Sequence, residues 1–195
     1  MNYIHLAAIA LLSGAMAAIT AKACASRWEG DFTKLCTIAV PLFLFVSAAS
    51  LLFHGLNSHS IQTIALCSIF FYASYGDIRT HEADDFIHVF ILLTALMNCR
   101  MEDIPVAVLT AVVLGGIMLL VAVIVRGMGI GGADIRFVAA CAFLSNMMGG
   151  LFGLGLGSFI ALLFNSPFRK KEGAGERFPM LPYLSCSYML VYLLS

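Results

Sequence analysis

The sequence predicts an all-α protein, a polytopic integral membrane bundle of about eight transmembrane helices. Of its 195 residues, 61% are hydrophobic and 11% are charged, and the mean hydropathy is +0.96. Soluble domains carry about 25% charged residues, so this composition excludes one. The formal net charge is zero and like charges form no long block, which argues against nucleic acid as a partner. Because apolar segments use almost the whole length, residues 1–195 are predicted to form a single transmembrane domain.

Eight apolar segments approach the roughly 20 residues that a helix needs to cross the hydrocarbon layer. The first segment has no Lys or Arg before Lys22, so we expect it to be a first span and not a signal peptide. In chain order, the segments are 3–23, 35–53, 61–77, 86–100, 105–125, 134–147, 150–167 and 180–195.

The sixth and seventh segments belong to one apolar run from Ala133 to Phe168. A single helix of that length would extend about 54 Å at about 1.5 Å per residue, well beyond the roughly 30 Å of the hydrocarbon core. The run is therefore predicted to form a tight hairpin of two short helices. Asn146 and the pair Gly149-Gly150 are expected to supply its turn.

Basic residues indicate how the predicted spans are oriented. With eight spans the loops alternate between two sides, and ten of the eleven Lys and Arg residues fall on one side, leaving only Arg100 on the other. Cytoplasmic loops carry the excess of basic residues in membrane proteins, so both termini are predicted to lie outside the cytoplasm. The same distribution predicts that Asp77 and Asp134 lie at the cytoplasmic face.

Regularly spaced glycines indicate close helix packing. Gly149, Gly153 and Gly157 recur every four residues and are predicted to form one stripe on the seventh helix. Gly115-Gly116 is expected to have the same packing role on the fifth helix.

The cysteines and histidines are not predicted to bind a metal. The six cysteines are scattered without a C-x-x-C pair, so we expect small core residues and neither a metal site nor a disulfide framework. His54 and His59 lie in a loop on the side away from the aspartates and are expected to be solvated, structural residues.

Two carboxylates at segment ends are candidates for chemistry, because charged groups at a bilayer boundary are costly unless they are satisfied. Asp77 ends the third segment and Asp134 opens the sixth, and each precedes an arginine by two residues, Arg79 and Arg136. One interpretation is that each Asp pairs with its own Arg and anchors its helix at the lipid headgroups. A second acidic pair, Asp84-Asp85, directly precedes the fourth segment and is expected to cap its first N–H groups.

A glycine cluster favours a catalytic interpretation of Asp134. Gly129, Gly131 and Gly132 precede Ala133 and Asp134. Glycines allow a close approach of two backbones and positive φ angles, which suits a substrate strand lying beside the carboxylate. Asp77 and Asp134 are therefore interpreted as one catalytic pair.

The region from about Phe70 to Leu144 resembles the type IV prepilin peptidase family, which includes archaeal preflagellin peptidases and consists of polytopic aspartyl proteases. One family Asp lies in an Asp-x-Arg-Thr-like stretch, similar to Asp77-Ile78-Arg79-Thr80-His81 here. The other lies in a Gly-x-Gly-Asp-x-Lys motif, similar to Gly131-Gly132-Ala133-Asp134-Ile135-Arg136. The segment 177–183 also resembles the proline-containing start of the family's last helix. Residues of about 61–168 form the family-like core, and the family topology is also eight spans with cytoplasmic aspartates.

This sequence departs from the family pattern at several positions. Ala133 stands where the family usually has Gly, and Arg136 replaces the usual Lys. Ala83-Asp84-Asp85 stands where Ile-Pro-Asn is common, with the helix start expected to be preserved by Asp capping. Long members have a cytoplasmic insertion with zinc-binding C-x-x-C motifs and also methylate the product, whereas this chain has only residues 25–34 there. The resemblance is thus to a short form, and methyltransferase activity is left open.

The resemblance implies an aspartic-type endopeptidase of a bacterial or archaeal cytoplasmic membrane that uses no cofactor and no metal. The implied substrate is the precursor of a pilin-like protein of a type IV pilus or protein secretion system. Its short basic leader lies in the cytoplasm, its apolar helix lies in the bilayer, and cleavage follows a glycine at the junction. The implied catalytic residues are Asp77 and Asp134, with active-site support from Gly131, Gly132, Ala133, Arg79 and Arg136.

Two other functional classes use the same features. In a proton- or cation-coupled transporter, two carboxylates and glycine backbone would form an ion site. A non-catalytic subunit of a pilus or secretion machine would need neither carboxylate for chemistry. Within the peptidase interpretation, helix macrodipoles predict that Asp134, at a helix start, is the ionised base and that Asp77, at a helix end, is its protonated partner.

Overall fold

The structure, a computed structural model, describes residues 3–124, 130–168 and 178–195. Within these ranges the regular secondary structure consists of helices joined by short loops, and there is no strand. The predicted Gly129, Arg126 and basic loop 169–177 lie outside the described residues. The helices are α1 (Tyr3–Trp28), α2 (Phe32–His54), α3 (Ser58–Thr80), α4 (Phe86–Leu96), α5 (Ile104–Ile124), α6 (Gly132–Leu144), α7 (Met147–Phe168) and α8 (Leu181–Leu194). Each predicted apolar segment thus corresponds to one helix, with ends that differ by a few residues.

Four of these helices are long and apolar enough to cross a membrane, which identifies a helical membrane-embedded protein. Large apolar side chains cover their outer faces, as expected for contact with lipid; Leu52 is 84% exposed, Phe152 71% and Ile124 70%. α4 and α8 are apolar but shorter. Four spans are therefore supported, and the larger number of eight stays a prediction. The four candidate spans are Leu6–Trp28, Phe32–His54, Ile104–Ile124 and Met147–Phe164.

The long apolar run from Ala133 is divided into two helices, as predicted. α6 ends at Leu144 and α7 begins at Met147, so only Ser145 and Asn146 form the turn. The side chain of Asn146 accepts a hydrogen bond from the N–H of Gly149 at 2.7 Å, which satisfies a free donor at the start of α7. The prediction that Gly149 and Gly150 belong to the turn is wrong, because both lie inside α7.

The glycine stripe of α7 packs against α8, as predicted. A Cβ atom at Gly153 would lie 2.7 Å from the ring of Tyr188, and one at Gly157 would lie 2.6 Å from Oγ of Ser187. Both distances are too short for a real contact, so the stripe lets the two helices approach closely. On α5 the prediction is half right. Gly115 packs against α6, whereas a Cβ at Gly116 would meet nothing within 4 Å.

Contacts between helix ends define two ends of the bundle. The first residue of α8, Leu181, contacts Asp77 in the last turn of α3. At the opposite end, His59 near the start of α3 stacks on Tyr192 near the end of α8, with ring centroids 4.3 Å apart. The end of α6 at Leu144 lines a cavity together with these two rings. α3 therefore runs antiparallel to α6 and α8. We call the end that contains Asp77 and Asp134 the Asp end, and the other the far end.

Candidate active site

Asp77 lies in the last turn of α3 and is buried, with 6% of its surface exposed. Its carboxylate oxygen Oδ2 accepts a hydrogen bond from the backbone N–H of Leu181 at 2.9 Å. Pro182 follows Leu181 and has no N–H, so Leu181 supplies the free donor at the start of α8. The prediction that a helix starts at this proline is confirmed. The N–H of Leu181 at that helix start binds the Asp77 carboxylate.

Asp134 lies in the first turn of α6 and is equally buried, with 6% of its surface exposed. Its Oδ2 accepts a hydrogen bond from the N–H of Gly131, the N-cap residue, at 2.8 Å. This is the half of a capping box that a glycine N-cap permits, and it fixes the carboxylate beside its own helix start.

The two glycines before Asp134 differ in role. Gly131 has a φ of −86°, and among the described glycines only Gly55 has a positive φ, so the expected positive φ is wrong for Gly131 and Gly132. A Cβ on Gly131 would lie 3.4 Å from the Asp134 carboxylate, an ordinary contact, whereas one on Gly132 would meet nothing within 4 Å. Gly132 is exposed and faces open space, whereas Asp134, two residues further along α6, is buried on a different side of the helix.

The two carboxylates lie at the same end of facing helices. Phe70 of α3 and Phe137 of α6 are in contact, with ring centroids 5.4 Å apart. Asp77 lies about 10 Å beyond Phe70 along its helix, and Asp134 lies about 4.5 Å before Phe137, at about 1.5 Å per residue. Because the helices are antiparallel, both carboxylates are on the same side of this aromatic contact. Both carboxylates therefore lie at the Asp end of the bundle.

α3 and α6 meet through side chains and not through close backbone contact. No Cα atom of α3 lies within 8 Å of a Cα atom of α6, and Phe70 and Phe137 bridge the two helices. Each carboxylate is fixed by a backbone N–H.

Neither aspartate pairs with its neighbouring arginine, so the interpretation of local Asp–Arg anchors is wrong. Arg79 donates instead to the carbonyl of Trp28 at 3.3 Å. Arg136 forms an ion pair with Asp85 of the α3–α4 loop. Among the described ion pairs, none includes Asp77 or Asp134. Within the described part of the chain, both carboxylates are thus buried without a cation, which is costly for an ionised side chain and unusual in a merely structural role.

Asp84 and Asp85 do not cap α4, which corrects the prediction from their position. Asp85 occupies the N-cap, but its side chain accepts no capping hydrogen bond. Asp84 accepts from the hydroxyl of Tyr72 at 3.1 Å and pairs with Arg27 at 3.5 Å. The two side chains therefore connect the start of α4 to three other helices. Their partners are the Tyr72 hydroxyl of α3 and the guanidinium groups of Arg27 in α1 and Arg136 in α6.

An aromatic cluster supports the last turn of α3, and the sequence analysis missed it. The ring of Trp28 packs on Tyr72 and Tyr75, with centroids 4.8 and 5.7 Å away. A Cβ atom at Gly76 would lie 2.7 Å from the same ring, so Gly76 allows α1 to cover the backbone next to Asp77. The Tyr-x-x-Tyr-Gly spacing on α3 could have indicated an aromatic cluster. Its partner, Trp28 of α1, could not be inferred from local sequence, because the contact is tertiary.

His88 in the first turn of α4 was also missed. It is 7% exposed, and neither ring nitrogen has a hydrogen-bond partner in the part of the chain that the structure describes. A buried imidazole always carries at least one N–H donor, so an unpaired one is costly. A histidine inside the otherwise apolar start of α4 was the signal in the sequence.

The residues of the Asp end support acid–base chemistry. No three His, Cys, Asp or Glu side chains are grouped as metal ligands would be, within the residues described. When two buried carboxylates lie close together, a state with one proton between them is favoured, in which one group is a base and the other an acid. Such a pair can activate water and polarise a carbonyl group.

Comparisons with models of protein families, with curated proteins and with solved structures find no match to this chain. The resemblance to prepilin peptidases therefore rests on the motifs around Asp77 and Asp134. The function has to be argued from the chemistry of this site.

Proposed function

We propose that the protein is a membrane aspartyl endopeptidase that removes the short basic leader of pilin-like precursors. The observation that carries this proposal is the pair of buried carboxylates, Asp77 and Asp134, on facing helices at one end of the bundle. Each is oriented by a backbone N–H, and among the described residues neither has a cation partner. The protein acts at the cytoplasmic face of a bacterial or archaeal cytoplasmic membrane, and it requires no cofactor.

The reaction is hydrolysis of one peptide bond. The ionised carboxylate takes a proton from water as the water oxygen attacks the scissile carbonyl carbon, while the protonated carboxylate donates a hydrogen bond to the carbonyl oxygen. The tetrahedral intermediate then collapses, and the leaving amine takes the proton that was drawn from water. No covalent intermediate forms, and both carboxylates return to their starting states.

The surroundings of the pair support a substrate that crosses the membrane boundary. Both aspartates lie at helix ends, beside helices whose outer faces are apolar. A precursor with a polar leader and an apolar helix has its scissile bond at that level. Gly132 is exposed with open space around it, so an extended substrate backbone can approach the start of α6 there. Gly131, Ala133, Arg79 and Arg136 have a supporting role, because they fix the last turn of α3 and the first turn of α6.

Expression of a pilin-like precursor with and without this protein tests the proposal. We expect a shorter product only when the protein is present, and we expect the precursor to remain uncut with Asp77→Asn or Asp134→Asn. Processing should survive a strong chelator, because the chemistry needs only carboxylates. Ion flux that depends on both aspartates, without any processing, would identify a transporter instead. Pilus assembly that survives both substitutions would identify a scaffold.

A further inference from the structure

The last turn of α3 carries Asp77, and helix ends are the parts of a helix that fray most readily. After Asp77, the side chains of Ile78, Arg79 and Thr80 are all exposed. The N–H of His81, the C-cap residue, donates to the carbonyl of Asp77 at 2.9 Å and closes the turn. The position of the Asp77 side chain therefore depends on tertiary contacts to this turn as well as on the helix itself.

Trp28, the last residue of α1, makes such contacts with the end of α3. Its ring packs on Tyr72 and Tyr75, with centroids 4.8 and 5.7 Å away. Its backbone carbonyl accepts a hydrogen bond from the guanidinium group of Arg79 at 3.3 Å. Gly76, the residue directly before the aspartate, is buried beneath the same ring. One residue of α1 therefore holds the end of α3 with both its side chain and its backbone.

The contact between Trp28 and Gly76 has no spare room. A Cβ atom on Gly76 would lie 2.7 Å from Cζ2 and 2.9 Å from Cη2 of the indole, which is too short for a contact between two carbon atoms. Both atoms belong to the six-membered ring of the indole, so this ring fills the notch that the absent side chain leaves. A contact packed to this density resists displacement of either partner. We infer that Trp28 is a positioning residue that fixes the Asp77 carboxylate by packing on Gly76.

For the proposed reaction, this contact should determine the rate of the chemical step and not the binding of the precursor. Displacing a catalytic group by about 1 Å can cost about 10²-fold in rate, because the reacting atoms are no longer aligned with it. A shift in the last turn of α3 should therefore lower kcat and leave KM almost unchanged. This effect on cleavage rests on the proposed peptidase function, whereas the packing of Trp28 on the last turn does not.

Gly76→Ala tests the contact, because its methyl group cannot coexist with the indole in its observed position. We expect kcat for a pilin-like precursor to fall by about tenfold or more, with KM changed by less than about twofold. Gly153→Ala is the matched control, since a Cβ there would also lie 2.7 Å from an aromatic ring, that of Tyr188. Gly153 lies on α7, which has no Cα atom within 8 Å of one in α3. This control should leave kcat per folded molecule unchanged.

Trp28→Phe supplies a rescue, because phenylalanine lacks the outer ring that the new methyl group would meet. Alone, it should lower kcat by about threefold, since the notch at Gly76 is then only partly filled. Combined with Gly76→Ala, it should restore kcat to within about threefold of the wild-type value, so that the two substitutions are not additive. A double variant as slow as Gly76→Ala would contradict the inference. An equal loss of kcat in Gly153→Ala would also contradict it.

Hydrogen exchange of the backbone amides of residues 77–81, in the purified full chain, measures the last turn of α3 without a substrate. Exchange should be about tenfold faster in Gly76→Ala, return towards the wild-type rate in the double variant and stay unchanged in Gly153→Ala. If this pattern holds but the wild-type protein cleaves no precursor, the peptidase proposal fails and the positioning of Asp77 by Trp28 stands. If Gly76→Ala exchanges and cleaves like the wild type, the positioning inference fails and the peptidase proposal stands.

Discussion

Leu181 donates its backbone N–H to the carboxylate of Asp77 at 2.9 Å, across 104 residues of sequence. Leu181 is the first residue of α8, and the free N–H groups at a helix start favour a nearby negative charge. Asp77 therefore accepts a backbone N–H at the start of α8, just as Asp134 accepts one at the start of its own helix. The prediction that Asp134 is the base and Asp77 the acid considered only α3 and α6. With α8 included, the difference that the macrodipoles make between the two carboxylates is smaller than α3 and α6 alone imply, although Asp77 still lies at the negative end of α3.

Gly132 is predicted to matter for the cleavage rate and not for the stability of the fold. We predict that Gly132→Ala unfolds at the same or a slightly higher temperature, because its Cβ meets no neighbouring atom within 4 Å. Cleavage should nevertheless fall by about tenfold or more, because the proposal places the substrate backbone along the glycines that precede Asp134, where a methyl group would displace it. Gly116→Ala, at an equally open position on α5, is the control and should leave cleavage intact. Full activity in Gly132→Ala would remove this glycine from the site.

The glycine stripe of α7 gives a prediction about stability. Gly153→Ala inserts a methyl group 2.7 Å from the Tyr188 ring and should lower the free energy of unfolding by about 1–3 kcal/mol. Gly155→Ala, on the same helix with open space around it, should have no cost and gain up to about 1 kcal/mol from helix propensity. Unfolding in a mild detergent compares the two. Equal effects would contradict close packing of α7 on α8.

The ion pair between Arg136 and Asp85 should contribute little to stability. Their side chains are 55% and 78% exposed, and exposed pairs typically contribute about 0.2–1 kcal/mol. A double-mutant cycle with Arg136→Gln and Asp85→Asn should give a coupling energy in that range. Because Arg136 does not contact Asp134, cleavage should be reduced and not abolished in Arg136→Gln. Complete loss of cleavage in a folded Arg136→Gln would assign Arg136 a direct role.

The helices were largely predictable from sequence because they depend on local composition. Apolar segments predicted each helix, and the excessive length of the run from Ala133, together with Asn146 and the pair Gly149-Gly150, predicted the break between α6 and α7. The partners of Asp84 and Asp85 were not predictable, because Arg27 and Arg136 reach them from helices distant in sequence. The position of the two aspartates before α4 suggested helix capping, but in the structure their side chains form ion pairs with these arginines instead.

The candidate site shows the same division. The sequence motifs identified Asp77 and Asp134, but not the donor from α8 or the cover of Trp28 over Gly76. His59 was expected to be solvated, yet it is half-buried between His54 and Tyr192. That error arose because α8 returns to the start of α3, which no local pattern indicates.

The orientation of the protein in the membrane is a separate prediction from the basic residues. With ten of eleven on one side, the loop from Arg169 to Arg177 should be cytoplasmic. A reporter that is active only outside the cytoplasm should be silent when fused after Gly175 and active when fused after Arg100. Activity after Gly175 would contradict the eight-span topology and the cytoplasmic location of the aspartates.

The most direct measurement is the cleavage rate of a purified pilin-like precursor by the wild-type protein and by Asp77→Asn and Asp134→Asn. Asn keeps an oxygen that accepts the N–H of Leu181 or Gly131 and removes a buried charge, so both variants should remain folded. Asp31→Asn, at an exposed N-cap, is the control. We predict that the rate falls by at least about 10²–10⁴-fold in each aspartate variant and is unchanged in the control. Wild-type cleavage by either folded aspartate variant would contradict a catalytic Asp77–Asp134 pair.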